Sequence, residues 1–355
     1  MKDSKSKEKR LHYIDVLNCI AILFVLLLHS SQLANFGTTS DSNFIVTEIM
    51  QCLFIPAVYI FFMNSGATLL DYREKYETKT FYKKRLKRVL IPFLLWSVFY
   101  YLFNSRFHSF PGPTFQENIG FKNFIEEFLN NNINNLFWFF YSIIALYLVT
   151  PIFSVLAKKY RNVLFGVVIV YFVFTDLMTY LGKLININFL TKFIDQPLLT
   201  SSFLGYFIIG YLIKENYFNR KYENILILVG LLCLLLNILN VLTGLRYSFL
   251  GNIGPFLYSV GLYIFIKRLV NHTNYNYKTA QWLSGSSLGI YILHPIFYAI
   301  FDKLVYKTSS GDWKEYLITL NSPLHIFLMP FVVYIVIAIP LHYLKKLKLV
   351  KTIIP

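Results

Sequence analysis

The sequence predicts an all-α, polytopic integral membrane protein of about ten transmembrane helices with both termini in the cytoplasm. Three observations predict it. Apolar residues make up 56% of the 355 and charged residues 15%, against about 45–50% and about 25% in soluble chains. Apolar runs of bilayer-spanning length, about 20 residues, recur along the whole chain. And 26 of the 34 Lys and Arg fall in the two termini and in every second connector between those runs, the asymmetry of cytoplasmic segments. A soluble fold with 35 Phe and 27 Tyr would expose apolar patches beyond what monomers tolerate.

The runs fall at about 13–33, 49–70, 89–104, 136–157, 163–182, 200–214, 225–242, 251–267, 283–304 and 324–344. The first follows Lys2, Lys5, Lys7, Lys9 and Arg10, as a signal peptide would. No small-residue cleavage site follows promptly and nine more runs do, so it reads as a retained span. The run at 200–214 is short, and Gly254 and Pro255 break the one at 251–267. Residues 1–12 form a basic cytoplasmic N-terminus, 13–344 the transmembrane domain and 345–355 a basic cytoplasmic tail. The largest outer loop, about 105–135, holds Phe121–Leu129, an amphipathic stretch suited to the membrane surface. The net charge of +16 sits in short connectors, which argues for a lipid bilayer as partner and against nucleic acid. Cys19, Cys52 and Cys233 lie inside apolar runs, so neither a disulfide framework nor a zinc site is expected.

Polar residues inside spans are costly and mark function or a specific partner. On a helix at about 100° per residue, Asn18 lies within about 20° of the face of His29, and Asp15 within about 40°. The three form a polar line, with Asn18 and His29 about 16 Å apart. A snorkelling Asp and a His satisfied by a neighbouring helix would explain it; so would a line along an internal cavity, with a neutral imidazole as general base. Lys83-Lys84-Arg85-Leu86-Lys87-Arg88 opens the third span just before Pro92. It reads as an anchor to anionic lipid or as a dock for a polyanionic cofactor, where Arg offers two-pronged contacts to phosphate. Asp176, toward the outer end of the fifth span, either orients His29 or pairs with an unrelated polar group. His294 precedes Pro295, which suggests a break near a polar pocket. Gly285-Ser286-Ser287-Leu288-Gly289 fits a nucleophile-elbow pattern, but it opens a membrane helix where the elbow needs a strand-to-helix turn.

At these residues the chain resembles the acyltransferase-3 family of integral membrane acyltransferases, bacterial enzymes that O-acetylate surface glycans. Tyr13-Ile14-Asp15 through His29 resembles the family's first helix, and Phe61-Phe62-Met63-Asn64-Ser65-Gly66 the end of its second. Lys84 to Pro92 is similar to its arginine-rich third-helix start. Phe137 to Tyr141, continuing through Leu146 to Pro151, resembles its fourth helix, and Ser287 to Pro295 its late His-Pro segment.

The resemblance implies that acetyl-CoA is the acyl donor, used from the cytoplasmic side with no cofactor bound permanently. The acceptor is then a hydroxyl of a cell-envelope glycan, and the location a bacterial cytoplasmic membrane. His29 is the implied catalytic residue; Asp176 is a further catalytic candidate from its position in the fifth span alone, if it orients His29. Arg85, Lys87 and Arg88 are implied near the CoA phosphates, with Asn18 at the position where the family carries a basic residue. Ser65, Trp138, Tyr141 and His294 are read as candidate pocket-lining, substrate-binding residues, with Trp138 able to stack on a sugar. Some relatives carry an extracytoplasmic domain. Without one, the membrane domain hands acetyl directly to the acceptor or a partner protein completes the transfer. The rival reading is a polysaccharide exporter or small-solute transporter of the same architecture, which the Asn18 departure favours; a transporter of symmetric repeats and broken helices is not apparent. A third reading is a membrane scaffold for envelope synthesis.

Overall fold

A computed structural model describes residues 10–106, 119–185, 203–244, 253–273, 276–306 and 313–354. Every regular element among them is helical. Among the described residues nine helices are long and apolar enough to cross a membrane: His12–Phe36, Phe44–Glu74, Thr78–Asn104, Asn135–Ser154, Arg161–Gly182, Arg220–Leu242, Ile253–His272, Ser287–Tyr306 and Leu324–Leu344. The sixth in chain order, Leu204–Lys214, is apolar but has 11 residues, about 16 Å of helix against a core of about 30 Å. These are the ten expected spans, and we number them in that order. Part of the 105–135 loop and the first residues of the sixth and eighth runs lie outside the described residues. Phe121–Leu129 is a helix as expected, and Ser287, the middle of the elbow-like pattern, begins the ninth span.

The ends differ from the hydropathy runs in an instructive way. The second span starts at Phe44, five residues before its apolar run, because Glu48 and Gln51 are buried there. Gln51 donates to the carbonyls of Leu28 and Ser31 at 3.0 and 3.2 Å. The third starts at Thr78, with the basic Thr78–Arg85 segment continuing straight into the membrane helix.

All the basic connectors meet at one end of the bundle. Lys214 pairs with Asp71 at 2.5 Å, Lys158 with Glu74 at 3.0 Å and Arg161 with Glu215 at 2.6 Å. Arg10 pairs with Asp15 at 2.7 Å at the start of the first span. Lys345 donates to the carbonyl of Gly285 at the start of the ninth span. Orientation is then a matter of which face of the membrane this end occupies. On a background without the three native cysteines, we expect an impermeant thiol reagent applied to intact cells to modify Lys122→Cys. It should reach Lys79→Cys only after permeabilisation. The reverse pattern would turn the protein over.

Close helix crossings hold the second span to the sixth. A Cβ on Gly66 would lie 1.6 Å from the Phe207 carbonyl oxygen, and one on Gly210 would lie 2.1 Å from that of Met63. Each glycine thus lets the partner backbone approach, the usual way membrane helices pack without a hydrophobic drive between them. Gly66→Leu cannot be absorbed, since the obstacle is backbone. We expect it to reduce the yield of folded protein and lower its thermal midpoint, whereas Gly166→Leu, where a Cβ meets nothing, should leave both unchanged.

Candidate functional site

A cavity of about 240 Å³ opens between the first, second, third, fourth and ninth spans. Asn18, Asn64, Ser65, Thr68 and Tyr147 supply its polar lining, and Phe139 is among its apolar walls. The amides lie on helices that have little else polar at that depth, so they pair with each other rather than with lipid. Asn64 Nδ2 donates to Asn18 Oδ1 at 2.9 Å, and Asn18 Nδ2 donates to Ser284 Oγ at 3.2 Å. Asn18 therefore bolts the first span to the second and to the Lys278–Ser284 helix, while still facing the cavity. Thr68 returns its hydroxyl to the Asn64 carbonyl at 2.9 Å.

Arg85 stands at the rim, and the local sequence puts it there. Pro92 brings no N–H for the Arg88 carbonyl, and the helix contains a π turn over Leu86–Leu90. Residues three apart share a face on a regular α-helix; across this turn they do not. Arg85 is half-buried, with its guanidinium 5.6 Å from the Tyr147 ring and 5.8 Å from that of Phe81. Lys87 and Arg88 are exposed. The Tyr147 hydroxyl lies within reach of both Arg85 and Ser65. Arg85 makes no ion pair among the described residues, and its buried Nε has no acceptor. A half-buried guanidinium without an acid is a place for an anion.

His29 lies farther along the first span, and its ring stacks on that of His294, 5.1 Å between centroids and 30° between planes. Bonds fix the helix on both sides of it. Pro330 cannot bond the Ile326 carbonyl, and Ser30 Oγ donates to that oxygen at 2.9 Å. Tyr298 donates to the Leu26 carbonyl at 2.7 Å. Pro295 in turn leaves the Tyr291 carbonyl without its helical donor, and His294 Nδ1 fills the gap at 2.8 Å, with the Ile290 carbonyl at 3.2 Å.

The structure redistributes several expected roles. Asp15 drops out of the polar line because Arg10 takes both its oxygens. Asn18 faces the cavity, but His29 is not among the cavity's lining residues. Asp176 does not orient His29: it is buried in a π turn of the fifth span, facing Tyr59, Tyr171 and Tyr206. The first span packs elsewhere, on the second and on the last three. Trp138 packs on Phe203 and Phe62, centroids 5.3 and 6.4 Å away, and does not line the cavity. Tyr141 donates to the Phe128 carbonyl and so ties down the surface helix Phe121–Leu129. Ser65 lines the cavity as expected.

Sequence reasoning missed a pair. His325 Nδ1 lies 2.9 Å from Asp302 Oδ1, and both side chains are buried. The signal was present, an acid and an imidazole inside apolar runs, but the two belong to different spans.

A family model described as an acyltransferase domain matches residues 11–347. No curated protein and no solved structure matches the chain.

Proposed function

This chain belongs to the acyltransferase-3 family, a membrane acyltransferase by that membership, and we propose that it moves acetyl from acetyl-CoA to a hydroxyl of a cell-envelope saccharide. The donor enters from the cytoplasm and the acceptor lies outside, across a bacterial cytoplasmic membrane. Arg85 carries the reading: a half-buried cation without an acid, at the rim of a cavity on the basic end of the bundle, suits the phosphates of a nucleotide-bearing thioester. The apolar walls with their few amides and hydroxyls suit its pantetheine arm, which alternates methylene and amide groups.

His29 is the reactive imidazole of this reading. It sits eleven residues beyond Asn18, about 16 Å along the helix, a gap that the extended arm spans. Its ring takes the proton of the acceptor hydroxyl or carries the acyl group itself. Exposed Lys87 and Arg88 add a diffuse positive field at the mouth, screened by salt. No residue is assigned to a permanently bound cofactor, and a partner protein on the outer side is required only if the acceptor does not reach His29 unaided.

The test has two arms. Purified protein in lipid nanodiscs should bind acetyl-CoA, and envelope glycans from cells lacking the gene should lose an acetyl ester by mass spectrometry. Binding without any missing ester would move the acceptor elsewhere. Absence of donor binding would favour the exporter, an architecture that needs no anion at Arg85.

A further inference from the structure

We propose that His294 is a second catalytic residue, which takes the proton of the acceptor hydroxyl on its Nε2 while His29 carries the acyl group. The inference rests on the acyl-transfer reading and divides its chemistry between two rings.

The tautomer of His294 is set by its own helix. Nδ1 faces the carbonyls of Tyr291 and Ile290 at 2.8 and 3.2 Å, and a nitrogen that faces two acceptors must carry the hydrogen. In the neutral ring, Nε2 then holds the lone pair. That nitrogen is buried, in a side chain with no exposure, and has no hydrogen-bond partner among the described residues. A buried polar atom left unmatched costs about 1–3 kcal/mol, so a purely structural histidine is poorly served here. The arrangement matches what a general base needs: a free lone pair, and a third group that orients the ring and steadies the cation. The Tyr291 carbonyl plays that third part because Pro295 has released it from the helix.

The His29 ring lies 5.1 Å away. Both rings start neutral, the nucleophilic form for His29. Two imidazoles in contact resist holding two positive charges, so His294 gains a proton only as the acylated His29 ring gives up its charge. In the first step a His29 nitrogen attacks the thioester carbonyl, the N–C bond forms, and the C–S bond breaks with its electron pair leaving on sulfur. In the second the acceptor oxygen attacks the acyl group, the O–C bond forms, and the N–C pair returns to His29. The thiolate takes a proton from water as CoA leaves, and the hydroxyl proton passes to His294 Nε2 and from there back to water, which restores both rings.

The closing experiment uses His294→Asn, whose amide can still donate to the Tyr291 carbonyl but offers no base at the Nε2 position. With acetyl-CoA and a glycan acceptor in nanodiscs, the variant should bind donor within twofold of wild type. It should release about one CoA per protein in a burst, then turn over 10²–10⁴-fold more slowly. Steady turnover within threefold of wild type overturns the proposal, and so does loss of the burst with donor binding intact. Should the variant not fold, nitrogen-15 NMR of histidine-labelled wild type decides: a protonated Nδ1 and bare Nε2 at neutral pH are expected, and the opposite tautomer overturns it. A wild type that binds acetyl-CoA but releases no CoA removes the acetyl-transfer reading itself, and this proposal with it.

Discussion

Replacing His29 with alanine is expected to lower acetyl transfer by about 10²–10⁴-fold while the protein still inserts, accumulates and binds acetyl-CoA. The last clause follows from geometry. Donor binding is placed at Arg85 and the cavity around Asn18 and Ser65, and His29 is not among the residues that line that cavity. The helix around His29 is fixed by others, through Ser30 on the Ile326 carbonyl and Tyr298 on that of Leu26. Removing the ring therefore deletes chemistry and leaves a hole beside His294. The informative measurement is kcat against KM for acetyl-CoA. A fall in kcat at unchanged KM is the signature of a group that acts only on the reacting atoms. A variant that keeps wild-type turnover would remove His29 from the chemistry, whatever the family resemblance implies. Asp176→Asn serves as a contrast. Its carboxylate faces three tyrosines of another part of the bundle, so it should leave kcat within a few-fold.

What could be read in advance divides along a physical line. The nine described helices long and apolar enough to cross a membrane were legible, because the cost of a polar backbone in hydrocarbon forces helices wherever an apolar run is long enough; the run at 200–214 yields only the short helix Leu204–Lys214. His29, Arg85, Asn18 and Ser65 could be picked out one by one, since each is a polar group in an apolar setting. Their partners could not. Which helix faces which is decided by contacts far apart in sequence, such as the Gly66 and Gly210 crossing. It is also decided by carbonyls that prolines set free: Pro330 creates the acceptor for Ser30, Pro295 the acceptor for His294, and Pro92 the turn that parts Arg85 from Arg88. The sequence leaves open whether Asp176 orients His29 or pairs elsewhere, because depth in the membrane does not fix azimuth. For the same reason Asp302 and His325 went unpaired until their spans were seen side by side.

That turn leads to the second large effect. Arg85→Gln is expected to raise the apparent KM for acetyl-CoA by about 10–150-fold, since hydrogen bonds to charged groups are worth about 1.5–3 kcal/mol and each 1.4 kcal/mol is about tenfold. Arg88→Gln is expected to do less, a few-fold at low salt. Arg88 is exposed, and exposed charges act through a field that about 1 M salt confines to about 3 Å. Arg85 is half-buried between the rings of Phe81 and Tyr147, where screening is weaker. The two variants should therefore separate as salt rises: the Arg88→Gln defect fades and the Arg85→Gln defect persists. Asn18 sharpens the expectation. It cannot share the load, because it brings no charge and its amide is engaged by Asn64 and Ser284. Equal, salt-sensitive defects in both variants would mean that the basic segment works as a diffuse collar at the membrane face, with no phosphate held at the cavity rim. A wild-type KM in Arg85→Gln would empty the proposed donor site altogether, and the half-buried guanidinium would then need an anion of another kind.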